Sequence, residues 1–189
     1  MFSLTRCRNT MAMIPGHLKD EVVVLGVHRD AWGLGAGDPV SGTASMNEIV
    51  KGLGTLLKAG YKPLRSILIA SWDAEEYGLI GSTEFGEDFS AWLQQNVVAY
   101  LNVDMSVSGS AYSVSASPSL ADLFKDVSRL ITDPKNSSLT LLNRLVLDQA
   151  TLETASQSRD LYVGPLGSGS DFTVFLQHLG SSRDCACPC

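Results

Sequence analysis

The chain has 189 residues, 44% of them apolar and 18% charged, which is enough apolar material for one buried core and too much for a disordered segment. A net charge of −6 argues against nucleic acid as a partner. The start, Met1-Phe2-Ser3-Leu4-Thr5-Arg6-Cys7-Arg8, is too short and too weakly apolar for a signal peptide or a transmembrane helix, so no membrane span is expected here.

Taken in order, the segments alternate. The apolar run Val22-Val23-Val24-Leu25-Gly26-Val27 predicts a strand over 21–28. A glycine-rich loop leads to a helix at about 41–59, with Ala44, Met46, Ile49, Val50, Leu53, Leu56 and Leu57 mostly on one face. Ser41 or Thr43 is its expected cap, and Gly60-Tyr61-Lys62-Pro63 ends it. A strand at 65–71 follows, then an acidic turn, a short helix starting near 78–82 and another over about 88–95. A third strand is expected at 97–103 and a short one within 112–116. Residues 119–131 read as a helix with Leu120, Phe124, Val127 and Ile131 inward. Residues 133–160 read as largely polar, and 171–179 as helical. Strands alternating with helices predict an α/β domain.

Chemistry-bearing residues collect at the predicted strand ends. His28-Arg29-Asp30 closes the first strand, Glu75-Glu76 lies just beyond the second, and Asp104 follows the third. Asp38 sits in the loop Gly35-Ala36-Gly37-Asp38-Pro39-Val40-Ser41-Gly42. Ligands of open α/β sheets bind outside the carboxyl ends of the strands. Paired carboxylates there are costly to desolvate without a metal or a proton. Neighbouring side chains on a turning backbone point in different directions, so one glutamate can bind a metal while the other faces the substrate water, as a metallohydrolase requires. Alone, an acidic pair after a strand is usually a solvated turn; His28, Asp38 and Asp104 tell against that. The stretch Gly33-Leu34-Gly35-Ala36-Gly37 lacks the context of a nucleotide fingerprint, and its small residues suit a backbone passing close to metals.

Five segments carry a family resemblance: His28-Arg29-Asp30-Ala31-Trp32, Gly37-Asp38-Pro39-Val40-Ser41-Gly42, the run from Ala70 to Glu84 centred on Trp72-Asp73-Ala74-Glu75-Glu76-Tyr77-Gly78, Tyr100-Leu101-Asn102-Val103-Asp104, and Gly167-Ser168-Gly169-Ser170-Asp171-Phe172. In order and spacing they resemble the catalytic domain of the zinc aminopeptidase and glutamate carboxypeptidase family, the group that includes prostate-specific membrane antigen and the transferrin receptor. The resemblance implies a three-layer α/β/α zinc exopeptidase-type domain with a mixed, mainly parallel sheet. It covers 14–180 as a partial catalytic domain and leaves 1–13 and 181–189 as non-homologous ends.

The resemblance also implies a mechanism. The family binds two zinc ions. His28 and Asp104 would hold one, Asp38 would bridge both, Glu76 would bind the other, and Glu75 would be the general base for hydrolysis of a peptide substrate. Asp30 would fix the tautomer and orientation of His28 from the second shell. Ser168, Gly169 and Ser170 would line the substrate cleft. The family's last zinc ligand is a histidine beyond the Gly-Ser-Gly-Ser-Asp-Phe segment. His17 matches no ligand position, and His178 sits where a helix end is expected, so the Glu76 metal is expected to be short of one protein ligand.

The tail Ser181-Ser182-Arg183-Asp184-Cys185-Ala186-Cys187-Pro188-Cys189 has no apolar periodicity, and its cysteines are spaced more tightly than in zinc knuckles or thioredoxin-like sites. Family members are homodimers, through a region this chain is expected to lack, and are membrane-anchored, secreted or vacuolar; the sequence does not choose among these. The alternative function is a catalytically inactive, transferrin receptor-like binding protein. Retention of His28, Asp38, Glu75, Glu76 and Asp104 favours descent from an enzyme, and the missing histidine favours reduced activity in this chain.

Overall fold

The computed structural model describes residues 7–107, 113–152, 163–180 and 185–188. A six-stranded sheet forms its centre, in the order β1-β3-β2-β4-β8-β5. The strands are β1 (Thr10–Ile14), β2 (Leu18–His28), β3 (Arg65–Trp72), β4 (Val97–Asn102), β5 (Val114–Ala116) and β8 (Cys185–Pro188). β2 pairs in parallel with β3 and β4, and β4 in parallel with β8, whereas β1 and β5 run antiparallel to β3 and β8. The sheet is therefore mixed with a parallel centre. Helix α1 (Val40–Lys58) connects β2 to β3, and α2 (Ile80–Asp88) with α3 (Ser90–Asn96) connect β3 to β4. Parallel neighbours need such crossovers.

The side chains of β2, β3 and β4 alternate between two unequal faces. Val22, Val24, Leu68, Ala70, Trp72 and Tyr100 pack with Leu93, Phe172, Val174, Phe175 and Leu179 into the main core. Trp72 and Tyr100 flank Phe175, with ring centroids 6.2 and 4.2 Å away. The opposite face, with Val23, Leu25, Ile67 and Ile69, is only half-buried. Helix α1 buries only Gly42 and Met46, and Ile49, Val50, Leu56 and Leu57 are exposed. Its apolar stripe, legible in the sequence, is broader than what it covers. The cap differs too: Pro39 is the N-cap, and Ser41 Oγ donates instead to the Gly37 carbonyl.

β1 was not anticipated, because Met11 and Met13 carry little strand preference and an edge strand of five residues has little periodicity to read. The stretch expected to be largely polar, 133–160, carries regular structure over its described part, 133–152, while 153–160 lie outside the described residues. The described part includes a hairpin of β6 (Thr132–Asp133) and β7 (Asn136–Thr140), then α5 (Leu141–Leu152), in which Leu145 is buried against Val114 with Phe124, Leu142 and Val163. Helix α4 (Ala121–Leu130) turns Leu120, Phe124 and Ser128 inward, whereas Val127 and Ile131 are exposed. The inward set recurs every four residues, one row around from the expected one. The tail, read as patternless, contributes the backbone of β8 between β4 and β5. Backbone pairing needs no apolar periodicity. The helical segment expected at 171–179 is present from 172 and is of π type over Val174–His178.

Among the described residues no helix is long and apolar enough to cross a membrane.

Candidate metal centre and its family

Three adjacent parallel strands, β3-β2-β4, deliver the site from their carboxyl ends. His28 is the last residue of β2, Glu75 and Glu76 follow β3 by a short turn, and Asp104 follows β4. Asp38 returns over them from the loop that enters α1. Nitrogen and oxygen atoms of His28, Asp38 and Asp104 lie within 4.8 Å of one another. His28 Nε2 is 2.9 Å from Asp104 Oδ1 and 3.0 Å from Asp38 Oδ1. His28 Nδ1 donates to the Asp30 carbonyl at 3.1 Å. A carbonyl only accepts, so Nδ1 carries a proton in either charge state, and Nε2 is the nitrogen presented to the carboxylates.

Asp30 acts in a way the sequence did not show. Its backbone carbonyl, rather than its carboxylate, makes the close contact with the His28 ring; Oδ1 is 3.6 Å from Nδ1. The carboxylate accepts the backbone N–H groups of Glu75 at 3.0 Å and Glu76 at 3.2 Å. Asp30 thus orients the imidazole and clamps the glutamate turn to the end of β2.

A buried hydrogen-bond chain supports Asp104 from below. Trp72 Nε1 donates to the Tyr100 hydroxyl at 2.8 Å, which donates to Asn102 Oδ1 at 3.2 Å. Asn102 Nδ2 donates to Ser170 Oγ at 2.9 Å, and Ser170 donates to Asp104 Oδ2 at 2.6 Å. Tyr100 needs a gap in β2: a Cβ on Gly26 would lie 1.9 Å from its hydroxyl oxygen. Gly42 plays the same part for α1, since a Cβ there would lie 2.0 Å from the Asp104 carbonyl oxygen. Of the glycines in the loop before Asp38, Gly35 alone has a positive φ, +64°.

The charges respond to this packing. Burial works to lower the His28 pKa, but the hydrogen bond to Asp104 and the charges of Asp104, Glu75 and Asp171 together raise it to about 9. Burial opposes ionisation of Asp104, yet hydrogen bonds from His28 and Ser170 hold its pKa below the ordinary value. Glu75 is buried, and its pKa is pushed up to about 7, first by burial and then by Asp171, Asp104 and Glu76, against the pull of His28. Asp171, 1% exposed, is pushed to about 7, mainly by burial. The Ser82 hydroxyl beside it donates to the Leu79 carbonyl, and neither Asp171 oxygen has a hydrogen bond of good geometry.

This donor set fits a divalent cation. An imidazole nitrogen and two carboxylates converge, and zinc takes such nitrogen and oxygen ligands. In the protein alone the His28 proton supplies the positive charge that the two acids demand; a cation would supply it instead and displace that proton. Glu76 is outside the three-residue group and half-buried. Ser170 is buried and committed to Asp104, whereas Ser168 and Gly169 are exposed; the Ser168 hydroxyl shares a hydrogen bond with that of Thr173 at 3.0 Å. His17 and His178 are exposed. Sequence reasoning missed Asn102, Tyr100 and Gly26. Tyr100 and Asn102 stand in the Tyr100-to-Asp104 segment that carries the resemblance, but without an assigned role; the further signal is the period-two alternation along the neighbouring strands.

The sequence profile of peptidase family M28 matches residues 9–177, β1 included. The chain belongs to peptidase family M28. Among M28 relatives, it is 45% identical over 178 residues to a probable glutamate carboxypeptidase of Arthroderma benhamiae, covering 93% of this chain and 23% of that protein. It is 41% identical to the aminopeptidase NAALADL1 of Mus musculus, covering 94% and 24%. The chain thus spans about a quarter of the length of these curated relatives. The fold matches the zinc aminopeptidase BSAP of Bacillus subtilis with a TM-score of 0.61 at 20% identity, over 95% of this chain and 39% of that one. It matches a peptidase M28 precursor of Shewanella amazonensis with a TM-score of 0.58 at 21% identity, over 95% and 35%.

Proposed function

We propose that the chain carries a di-zinc peptidase centre that hydrolyses peptide bonds with Glu75 as general base. The supporting observation is the convergence of His28, Asp38 and Asp104 beside a buried glutamate. These three would hold one zinc ion. Asp38 would be shared with a second ion bound by Glu76, which has fewer protein donors and is held more weakly. Zinc there would polarise the scissile carbonyl and acidify the attacking water.

The rest of the chemistry falls to the chain's own side chains. Glu75 takes the proton from the attacking water and returns it to the leaving amine; a carboxylate raised to about 7 can do both near neutral pH. Asp30 holds Glu75 in register with His28, and Ser170 keeps an Asp104 oxygen turned toward the imidazole. Ser168 and the Gly169 backbone flank the substrate chain. The relatives' names include a carboxypeptidase and an aminopeptidase, so the reading is an exopeptidase of either direction.

The test measures zinc per chain and hydrolysis of a dipeptide panel on purified protein, with Asp38→Ala as control. Zinc retained by the wild type, lost in the variant and accompanied by hydrolysis supports the proposal. Absence of retained zinc, or hydrolysis that survives Asp38→Ala, overturns it.

A further inference from the structure

The five most exposed large apolar side chains among the described residues are Leu34 at 100%, Leu130 at 85%, Trp32 and Tyr77 at 68% each, and Val107 at 65%. Four of them stand on the loops that leave the carboxyl ends of β2, β3 and β4. Trp32 and Leu34 lie between His28 and Asp38, Tyr77 directly follows Glu76, and Val107 follows Asp104 by three residues. Exposed apolar side chains scattered singly over a surface need no explanation, but a group gathered around one site does.

Trp32 and Tyr77 also touch each other. Their ring centroids are 4.7 Å apart with a tilt of 56°, a favourable aromatic geometry. The pair spans the loop from β2 and the loop from β3, the two segments that the Asp30 carboxylate ties together beneath it. Its position is therefore set by the same clamp that sets Glu75. The floor beside the pair is acidic, with Asp38 and Asp104 converging on His28, and offers nothing to an apolar group.

We propose that Trp32 and Tyr77 form the wall that receives an apolar side chain flanking the scissile peptide bond, so that the centre prefers aliphatic or aromatic residues there. This rests on the peptidase reading above. The occupant is a substrate side chain because the wall is continuous with the metal centre: one loop carries His28 and Trp32, the other Glu75, Glu76 and Tyr77. The two aromatic rings supply large, rigid contact area at little conformational cost.

Alanine hydroxamate and leucine hydroxamate share the metal-chelating group and the amine and differ only in the side chain. Their binding to the zinc-loaded chain is measured by calorimetry for the wild type, Trp32→Ala, Tyr77→Ala and, as a distant exposed control, Leu130→Ala. The expected result is leucine hydroxamate binding about tenfold more tightly than alanine hydroxamate to the wild type and the control. That preference should vanish in either aromatic variant while alanine hydroxamate affinity stays unchanged. Equal affinities in the wild type, or a preference that survives both aromatic variants, overturns the proposal alone. Failure of alanine hydroxamate to bind the zinc-loaded wild type overturns the peptidase reading and this proposal with it.

Discussion

The three converging side chains proposed to hold the metal are not held alike. His28 is 1% exposed and Asp104 20%, whereas Asp38 is 45% exposed. The first two sit over the closely packed face of the sheet, where Trp72, Tyr100 and Phe175 interlock and a hydrogen-bond chain runs up to Asp104. Asp38 comes from the other side, on a loop that feeds α1, the helix that buries little. Two of the three residues are thus built into the core, and the third is brought to them by a more exposed loop. The difference teaches that residues of equal standing in a ligand set can differ widely in what they do for the protein without the metal.

The largest expected effect lies in the chemistry. Glu75→Gln should lower kcat on a dipeptide by about a thousandfold while zinc per chain stays unchanged; loss of zinc in this variant would place Glu75 among the ligands instead. Next come the two halves themselves. Asp104→Ala and Asp38→Ala should each weaken zinc binding by more than about a hundredfold in a chelator titration. Asp104→Ala should lower the melting temperature of the metal-free chain more than Asp38→Ala does, because Asp104 is the more buried of the two acids on His28 and also accepts from Ser170. Equal melting temperatures for the two variants would erase the comparison.

The glycines sharpen it further. Gly26→Ala should destabilise the chain by about 3 kcal/mol in urea unfolding, since the new methyl meets the Tyr100 hydroxyl inside a packed core. Gly37→Ala, where nothing lies within 4 Å, should stay within about 0.5 kcal/mol of the wild type.

The smallest effect is a pH slope. Glu75 and Asp171, raised from 4.5 and 3.8 to about 7, bind their protons more tightly in the folded state than in the unfolded. Their contribution therefore falls as pH rises from about 4 to about 7. His28, raised from 6.5 to about 9, adds stability that is complete below 6.5 and lost as pH rises through 9. The melting temperature of the metal-free chain should therefore decline from pH 5 to pH 9. The rise produced by zinc should grow over the same range, as His28 gives up its proton more readily. Asp171→Asn should flatten the acid half of the decline. A flat profile for the wild type would show that these groups are not buried in solution.

By itself, the sequence determined which strands carry the site and which residues end them. Apolar runs closed by a histidine or an acid mark β2, β3 and β4 directly, since strand burial and strand ends are local properties of the chain. The acidic pair after β3 was legible for the same reason. Only the tertiary structure decided that Asp30 clamps the glutamate turn, that Ser170 serves Asp104, that Gly26 makes room for Tyr100, and that α4 buries Ser128 instead of Val127. Each of these depends on which residue of one element meets which residue of another, a matter of register and layer spacing that no single segment encodes. The edge strand β1, the hairpin of β6 and β7, and β8 were hidden because their order comes from backbone pairing with distant partners, which leaves no apolar period in their own sequence.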